Sequence, residues 1–362
     1  MFNHVAVFPR EYWPKQIVVN GFVLYEGKKM SKSLRNVVPL LEVIEEYSPD
    51  IVRLSLLSSA EIGQDADFSS SIVMGITEKL RKIHGFLTSI VLEGESGHAS
   101  REHDFMDEWL LSVLQSRVKS VTESMENLRI RDALNIVLYI IPQDLEWYLS
   151  RVEGRVNRRV VREFFETWVK LIAPFAPHYA EEVWSMMGYK TFVSLEKWPE
   201  PREELVRLDV EATEEYYRRI LSDIKEILQV TGRAPKKIVF YLAPEWKVRA
   251  FKKVAEVIVN GGGPSDALRA VMSIPDIRKY GEEAVNATKR MSSIIMSLPE
   301  HIRKYLAENA IDEEEMLMRN IDAIKKYYNV SEILVFRAEK AEYDPMNKAK
   351  QALPFKPAIF VE

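Results

Sequence analysis

The sequence predicts a mostly α protein with α/β parts. Three observations predict it. Residues 71–187 repeat apolar side chains at alternating spacings of three and four, the period of a helix face. Runs rich in β-branched and aromatic residues, such as "QIVVNGFVLYEG" near the start and "PAIFVE" at the end, read as strands. Between the first strand run and the next helical piece lies a polar loop of Gly, Lys and Ser, "EGKKMSKSLRN".

Residues 1–70 are expected to be α/β. Asn20-Gly21 reads as a hairpin turn within the first strand run. "VVPLLEVIEEYSPDIVRLSLLSSA" reads as helical pieces broken at Pro49, which has no N–H to continue a helix ladder. Residues 71–188 are expected to form a bundle of antiparallel helices. Val73, Ile76, Leu80, Ile83, Leu87 and Ile90 make one apolar stripe, and "ESGHASREHD" links it to the next helix. Ile130, Leu134, Val137, Ile141, Leu145 and Tyr148 make a second, with a kink expected at Pro142. Val161, Phe164, Phe165, Trp168, Leu171 and Ile172 begin a third, which "HYAEEVWSMMG" resumes until Gly188 stops it. Trp109, Trp147, Trp168 and Trp184 fall at helical positions and read as bundle core.

Residues 189–204 read as a linker, and 205–362 as a small α+β domain. There Tyr217, Ile220, Ile224 and Ile227 line a helix that ends near Gly232. "KKIVFYLA" is a strand, "EWKVRAFKKVAEVIV" a helix, and Asp312 caps another helix. "SEILVFRA" and "PAIFVE" are the closing strands.

The bulk numbers bound the function. The chain has 362 residues, 47% of them hydrophobic, enough for two or three packed domains. Charged residues make up 29%, yet the net charge is only −4. That excludes a uniformly basic coat and leaves room for a local basic patch. There is no cysteine, so there is neither a disulfide nor a thiolate metal site, which fits the cytoplasm. No apolar run is long enough to span a membrane. The start, "MFNHVAVFPREYWPKQ", lacks the pattern of a signal peptide and reads as a chain entered midway.

Lys29-Met30-Ser31-Lys32-Ser33 is the stretch that carries chemistry. Lysine is a compact ammonium on a long stem and meets phosphate as a point charge. Two lysines three residues apart can approach one polyphosphate, and the serines add hydroxyl donors. Gly27 gives the loop freedom at its entry. With a nucleoside triphosphate bound, such a loop would stabilise charge growing on departing pyrophosphate, about 3 kcal/mol per well-placed donor. On composition alone, a solvated Lys/Ser turn is the simpler reading.

The string KMSKS, placed after a strand and before a helix, resembles the signature of the class I aminoacyl-tRNA synthetases. "IVVNGFVLYEGKKMSKS", "NVVPLLEVIEEYSPDIVRLSLLSSAE" and "DADF" look like the leucyl enzyme of the archaeal and eukaryotic type. "LRIRDALNIVLYIIPQDLEWYLSR" and "APFAPHYAEEVWSMMG" look like its anticodon-binding-type bundle, and "ALPFKPAIFVE" like its C-terminal domain. The C-terminal segments disfavour an isoleucyl or valyl relative. The resemblance implies a partial Rossmann catalytic core in 1–70, the bundle in 71–188 and a tRNA-binding domain in 205–362. It implies ATP as substrate, with Mg2+ accompanying it, and no metal site in this chain. It makes Lys32 the residue that stabilises the transition state and Lys29 a supporting cation. Ser31 and Ser33 become lesser ATP donors and Met30 a packing anchor. Many relatives read Lys-Gly-Asn after the motif, where this chain reads Leu34-Arg35-Asn36.

The second class I signature, His-x-Gly-His, is not formed by any of His4, His84, His98, His103, His178 or His301. The expectation is therefore the C-terminal portion of a leucyl synthetase, beginning inside the catalytic domain and inactive alone. It would be a cut piece, a split subunit needing an N-terminal partner, or a truncated gene product. The alternative is a non-catalytic tRNA-binding module.

Two surfaces are candidates for tRNA-Leu. Arg151, Arg155, Arg158 and Arg162 follow 4-3-4 spacing, which on one helix would put them on one face, and Arg159 adds a fifth guanidinium. Lys348, Lys350 and Lys356 lie among prolines and Phe355, a mixture that suits an RNA loop. The plainer readings are a solvated face paired with Glu153, Glu163 or Glu166, and a terminal strand with solvated lysines. His178 reads as a packed or capping histidine. Asp65 and Asp67 read as turn or cap residues rather than metal ligands.

Overall fold

The computed structural model describes residues 2–92, 103–232 and 235–362. Most of the expected link "ESGHASREHD" and His98 lie outside the described residues. The chain divides into two compact units, Met1–Val206 and Arg207–Glu362.

In the first unit, helix α1 (Phe2–Val7) precedes strand β1 (Val23–Tyr25) and strand β2 (Lys28–Lys29). Helices α2 (Leu40–Tyr47) and α3 (Pro49–Ser59) follow, divided by Ser48 at φ 75 just ahead of Pro49. Strand β3 (Ala66–Phe68) closes a three-stranded sheet of order β2-β1-β3. β1 and β3 are parallel with α2 and α3 in the crossover between them, and β2 is antiparallel.

The hairpin turn is not at Asn20-Gly21. It lies at Glu26-Gly27, both left-handed at φ 49 and 71. Gly21 serves close approach instead. Its N–H donates to the Gln64 carbonyl, and a Cβ there would collide with the side chain of Asp65. Consequently Ile17, Val18 and Val19, expected in the strand, lie outside it and are exposed.

The bundle contains α4 (Ser70–Phe86), α5 (Phe105–Glu126), α6 (Ile130–Asn135), α7 (Ile141–Val152), α8 (Arg158–Ile172) and α9 (Pro177–Met186). The stripe residues Val73, Ile76, Leu80, Ile83 and Leu87 are buried as their spacing predicts. Trp109, Trp168 and Trp184 are buried, while Trp147 is half-buried. Residues 136–140, between α6 and α7, widen into π-helical turns ahead of Pro142. In that wider register the Val137 carbonyl faces residue 142, a proline with no N–H to give. The Trp168 indole supplies the donor, Nε1 to Val137 O at 2.8 Å. The polar centre of the bundle is Asp107, fully buried, which accepts from Tyr148 Oη at 2.7 Å and Asn157 Nδ2 at 3.0 Å.

Residues 189–204, expected to run over the surface, are fixed to the bundle. The Glu181 carboxylate accepts from the Val193 and Ser194 amides, Trp198 Nε1 donates to Thr122 Oγ1 at 2.8 Å, and Tyr189 stacks on Trp184.

The second unit opens with α10 (Leu208–Thr231), closed by left-handed Gly232. Strand β4 (Lys237–Leu242) leads through α11 (Glu245–Val259), α12 (Pro264–Met272), α13 (Pro275–Arg278), α14 (Gly281–Met296), α15 (Glu300–Glu308) and α16 (Glu313–Tyr328) to β5 (Glu332–Arg337) and β6 (Ala358–Val361). The sheet order is β5-β4-β6, with β4 parallel to β5 and antiparallel to β6. β4 is the central strand and its side chains from Ile238 to Leu242 are buried, hence its unbroken apolar run.

Candidate nucleotide loop and nucleic-acid surfaces

The KMSKS loop is a hairpin continuation closed by one side chain. Lys29 ends β2, opposite Leu24. Asn36 then reaches back across the loop. Its Oδ1 accepts from the Ser31 amide at 2.9 Å and its Nδ2 donates to the Lys29 carbonyl at 3.1 Å. Between these anchors residues 32–35 form a turn, with Arg35 N–H to Lys32 O at 3.2 Å. Ser31 Oγ accepts from the Leu34 amide and lies 3.1 Å from Ser33 Oγ. The serines therefore shape the turn from within. Met30 is half-buried and Lys32 is exposed at the tip.

Arg35 sits at φ 52 in the left-handed region that favours glycine. This is the position at which the resemblance expects glycine, so the departure has a physical content: a side chain occupies a glycine backbone. Lys29 is engaged, its Nζ 4.4 Å from the centroid of the Phe22 ring. No ion pair of Lys32 is present among the described residues. The loop can thus present one ammonium outward while the other rests on an aromatic face.

The hairpin is tied down on its other side. Asp67 Oδ1 accepts from the Gly27 amide at 2.8 Å, and Asp65 Oδ1 from the Phe22 amide at 2.7 Å. Both aspartates are turn acceptors, as expected. Glu26 Oε1 accepts from the amide and hydroxyl of Ser70, the first residue of α4. Those two donors hold its carboxyl below the ordinary range.

The arginine cluster is arranged differently from the expectation. One helix does not carry it. α7 ends at Val152, Glu153 and Gly154 turn left-handed at φ 51 and 80, and Asn157 caps α8 from its Oδ1. The glycine and the cap residue break the helix that the 4-3-4 spacing requires. Arg151 thus lies on α7, Arg155 in the connection, and Arg158, Arg159 and Arg162 on α8. Arg162 is structural in its contacts: Nη2 donates to Met187 O at 2.6 Å, Nε to Glu166 Oε1 at 3.2 Å, and the guanidinium covers the Tyr189 ring. Arg159 is exposed.

The lysines of the terminal segment separate as well. Lys348 Nζ donates to the Ile359 carbonyl at 2.8 Å, and Lys356 Nζ lies 3.3 Å from Asp223 Oδ1. Both line an open cavity of about 270 Å³ that the sequence does not announce, together with Arg290. Lys350 is exposed and faces a different cleft. Phe355, expected beside them in a mixture that suits an RNA loop, is buried against Tyr216 and Phe251. Its amide donates to Glu313 Oε1 at 2.7 Å.

His178 Nδ1 lies 3.0 Å from Oδ1 of buried Asp50, but its ring is exposed rather than packed as the sequence suggests. Among the described residues no group of three or more His, Asp or Glu could hold a metal ion. No helix among them is long and apolar enough to cross a membrane.

The chain is similar to known proteins in both segments and as a whole. The family model of the anticodon-binding domain of tRNA ligases matches residues 107–240, and that of class I tRNA synthetases (M) matches residues 4–82. The leucine--tRNA ligase of Methanocaldococcus jannaschii is 39% identical over 365 aligned residues, covering 100% of this chain and 36% of that ligase. Leucine--tRNA ligase 2 of Sulfurisphaera tokodaii is 36% identical over 100% of this chain and 37% of its own length. The leucine--tRNA ligase of Pyrococcus abyssi is 37% identical over 100% of this chain and 36% of its own length. The chain spans about a third of the length of these relatives. Over the whole of its length the chain is similar to a portion of these leucine--tRNA ligases.

Proposed function

We propose that the chain contributes the KMSKS half of an ATP site and the tRNA-Leu-binding portion to leucine--tRNA ligation. In that reaction leucine and ATP give leucyl-adenylate and pyrophosphate, and the leucyl group passes to the tRNA. The observation that carries the reading is the loop itself, with Lys32 exposed at the tip of a turn that Asn36 closes. Lys32 stabilises charge on the departing pyrophosphate, and Lys29 joins it after leaving the Phe22 ring. Met30 anchors the loop, and Ser31 and Ser33 hold its shape. Mg2+ travels with the ATP phosphates.

The rest of the ligase, as the same chain or a separate subunit, covers the surface of residues 2–41. That stretch exposes Phe2, Val7, Phe22, Leu40 and Leu41, with most of the other exposed large apolar side chains among the described residues. This concentration of exposed large apolar side chains in one stretch of chain fits a partner interface.

For tRNA, Arg151, Arg155, Arg158 and Arg159 offer cations around the α7–α8 connection, and Lys348, Lys350 and Lys356 offer them on the second unit. Phosphate contacts of this kind position a nucleic acid without reading its sequence. The test compares the full chain with a truncation after Val206 for affinity toward tRNA-Leu at matched salt. The truncated chain is expected to bind at least tenfold more weakly. Equal affinity would remove the second unit from the tRNA-binding assignment.

A further inference from the structure

Three helices of the bundle lack side-chain caps of their own where they meet α3. The N-cap positions of α6 and α9 are Arg129 and Ala176, and neither makes a side-chain cap bond. The corner between α8 and α9 contains Pro174 and Pro177, which have no N–H to give to its carbonyls. Helix ends left open in this way must be met from outside the helix.

The partners come from α3 and the turn after it. Buried Asp50 accepts through Oδ2 from the Tyr179 amide, in the first turn of α9, and its Oδ1 lies 3.0 Å from His178 Nδ1. Arg53 donates from Nε to the Phe175 carbonyl at 3.1 Å and from Nη2 to the Pro174 carbonyl at 2.9 Å, just past the end of α8. Glu61 Oε1 accepts from the Asp132 amide, in the first turn of α6, at 3.1 Å. At the α8–α9 corner a carboxylate thus meets a helix N-terminus and a guanidinium a helix C-terminus, the signs that helix dipoles favour. These partners lie 71 to 129 residues apart in sequence. α3 also stands in the crossover between β1 and β3, in the sheet whose strand β2 leads into the KMSKS loop.

We infer that Asp50, Arg53 and Glu61 are positioning residues for leucyl transfer, fixing the KMSKS sheet at a set distance from a tRNA on the bundle, and that adenylate formation does not depend on them. The inference rests on the function proposed above. Adenylate formation brings only small molecules to the loop. Transfer brings in a macromolecule held elsewhere. The ester bond to a tRNA hydroxyl forms as the acyl–phosphate bond of leucyl-adenylate breaks, AMP leaves with the electron pair, and the hydroxyl proton is released. A misplacement of about 1 Å between reacting groups costs roughly a hundredfold in rate. A joint made of helix caps resists that displacement, because moving α3 opens the ends of α6, α8 and α9 together.

The test mixes this chain with the N-terminal portion of an archaeal leucine--tRNA ligase. It compares leucine-dependent pyrophosphate exchange with transfer of leucine from preformed adenylate to tRNA-Leu. Arg53→Met is expected to leave exchange within about twofold of wild type and to slow transfer about tenfold, with KM for tRNA-Leu unchanged. Arg53→Lys keeps a donor and is expected to recover part of the transfer rate. Equal losses in exchange and transfer, no loss in either, or a raised KM with kcat unchanged overturns the inference. Glu61→Ala, at a partly exposed site, carries the same comparison if the Arg53→Met chain does not fold. A second measurement needs only this chain. Residual dipolar couplings of amides in β1 and β3, and in α8 and α9, are expected to fit one alignment in the wild type. Two alignments are expected when Asp50→Asn and Arg53→Met are combined, with the shifts of each part retained. One common alignment in that double variant overturns the inference, whether or not the mixture is active. A wild-type mixture without exchange contradicts the KMSKS reading instead, and the dipolar couplings then decide the joint alone.

Discussion

Asn36 accepts the Ser31 amide at 2.9 Å, five residues back, and with its other amide atom donates to the Lys29 carbonyl. One side chain thereby sets both ends of the segment that carries Met30. Asn36→Ala removes both bonds. The Ser31 amide is expected to exchange with solvent about fivefold faster, the scale of a ~1 kcal/mol hydrogen bond. Exchange at Ser31 unaltered by the substitution would show that the backbone holds the loop unaided.

Arg35 occupies a left-handed backbone in the same turn. Arg35→Gly relieves strain of about 1 kcal/mol and gives part of it back through greater freedom of the unfolded chain. The loop amides of Leu34 and Arg35 are expected to exchange more slowly in the glycine variant. Arg35→Val is expected to do the reverse, because a β-branched side chain tolerates positive φ less well.

The Trp168–Val137 bond makes a double-mutant prediction. Trp168→Phe leaves a buried carbonyl unpaired and opens space, at a cost of about 2–3 kcal/mol by chemical denaturation. Pro142→Ala supplies an N–H one turn on. It is expected to recover part of the loss in the Trp168→Phe background and to do little in the wild type. Strictly additive effects would mean that proline is not the cause of the orphaned carbonyl.

The arginines divide by role. Arg162→Ala is expected to lower stability by about 1–3 kcal/mol, because the Met187 carbonyl and Glu166 lose their donor. Arg159→Ala is expected to leave stability unchanged and to weaken tRNA binding with a smaller salt slope. Thermal unfolding and a salt titration of binding separate the two. A stable Arg162→Ala variant with weakened RNA binding would reverse the assignment.

Glu313 gives a pH dependence. Burial pushes its carboxyl up from 4.5 to about 7, against the hydrogen bond from the Phe355 amide and the nearby Ala243 amide and Tyr216 hydroxyl. The folded state then holds the proton more tightly than the unfolded state. The stability it contributes is complete below pH 4.5 and is lost as pH rises through about 7. Glu313→Gln keeps an acceptor for the Phe355 amide and is expected to flatten the stability profile between pH 5 and 7. A profile of wild-type slope in Glu313→Gln would place the titration elsewhere.

Much of the fold is legible where apolar periodicity is strong, as in α4, α8 and β4. The polar signals are less easily read. Asn20-Gly21 has the composition of a hairpin turn, yet Gly21 is required by the closeness of Asp65, a contact 44 residues away in sequence. The arginine stripe fails because Gly154 and Asn157 already spell a helix stop and a cap, a local signal that outweighs the spacing of the charges. Phe355 looks available beside prolines and lysines, but tertiary burial against Tyr216 takes it. The KMSKS loop is visible as a string, while its closure by Asn36 is not, since asparagine in a polar loop carries no mark of its partner. Arg290 joins the lysines only through the packing of α14, and no spacing in the sequence relates them.

The central claim is that this chain holds one half of an ATP site and acts through Lys32. Leucine-dependent exchange of pyrophosphate into ATP tests it most directly, using this chain alone, the chain mixed with the N-terminal portion of an archaeal leucine--tRNA ligase, and the same mixture with Lys32→Ala. No exchange is expected from the chain alone, measurable exchange from the mixture, and a loss of at least a hundredfold with Lys32→Ala. Robust exchange by the chain alone, or exchange in the mixture that Lys32→Ala does not diminish, would contradict the account.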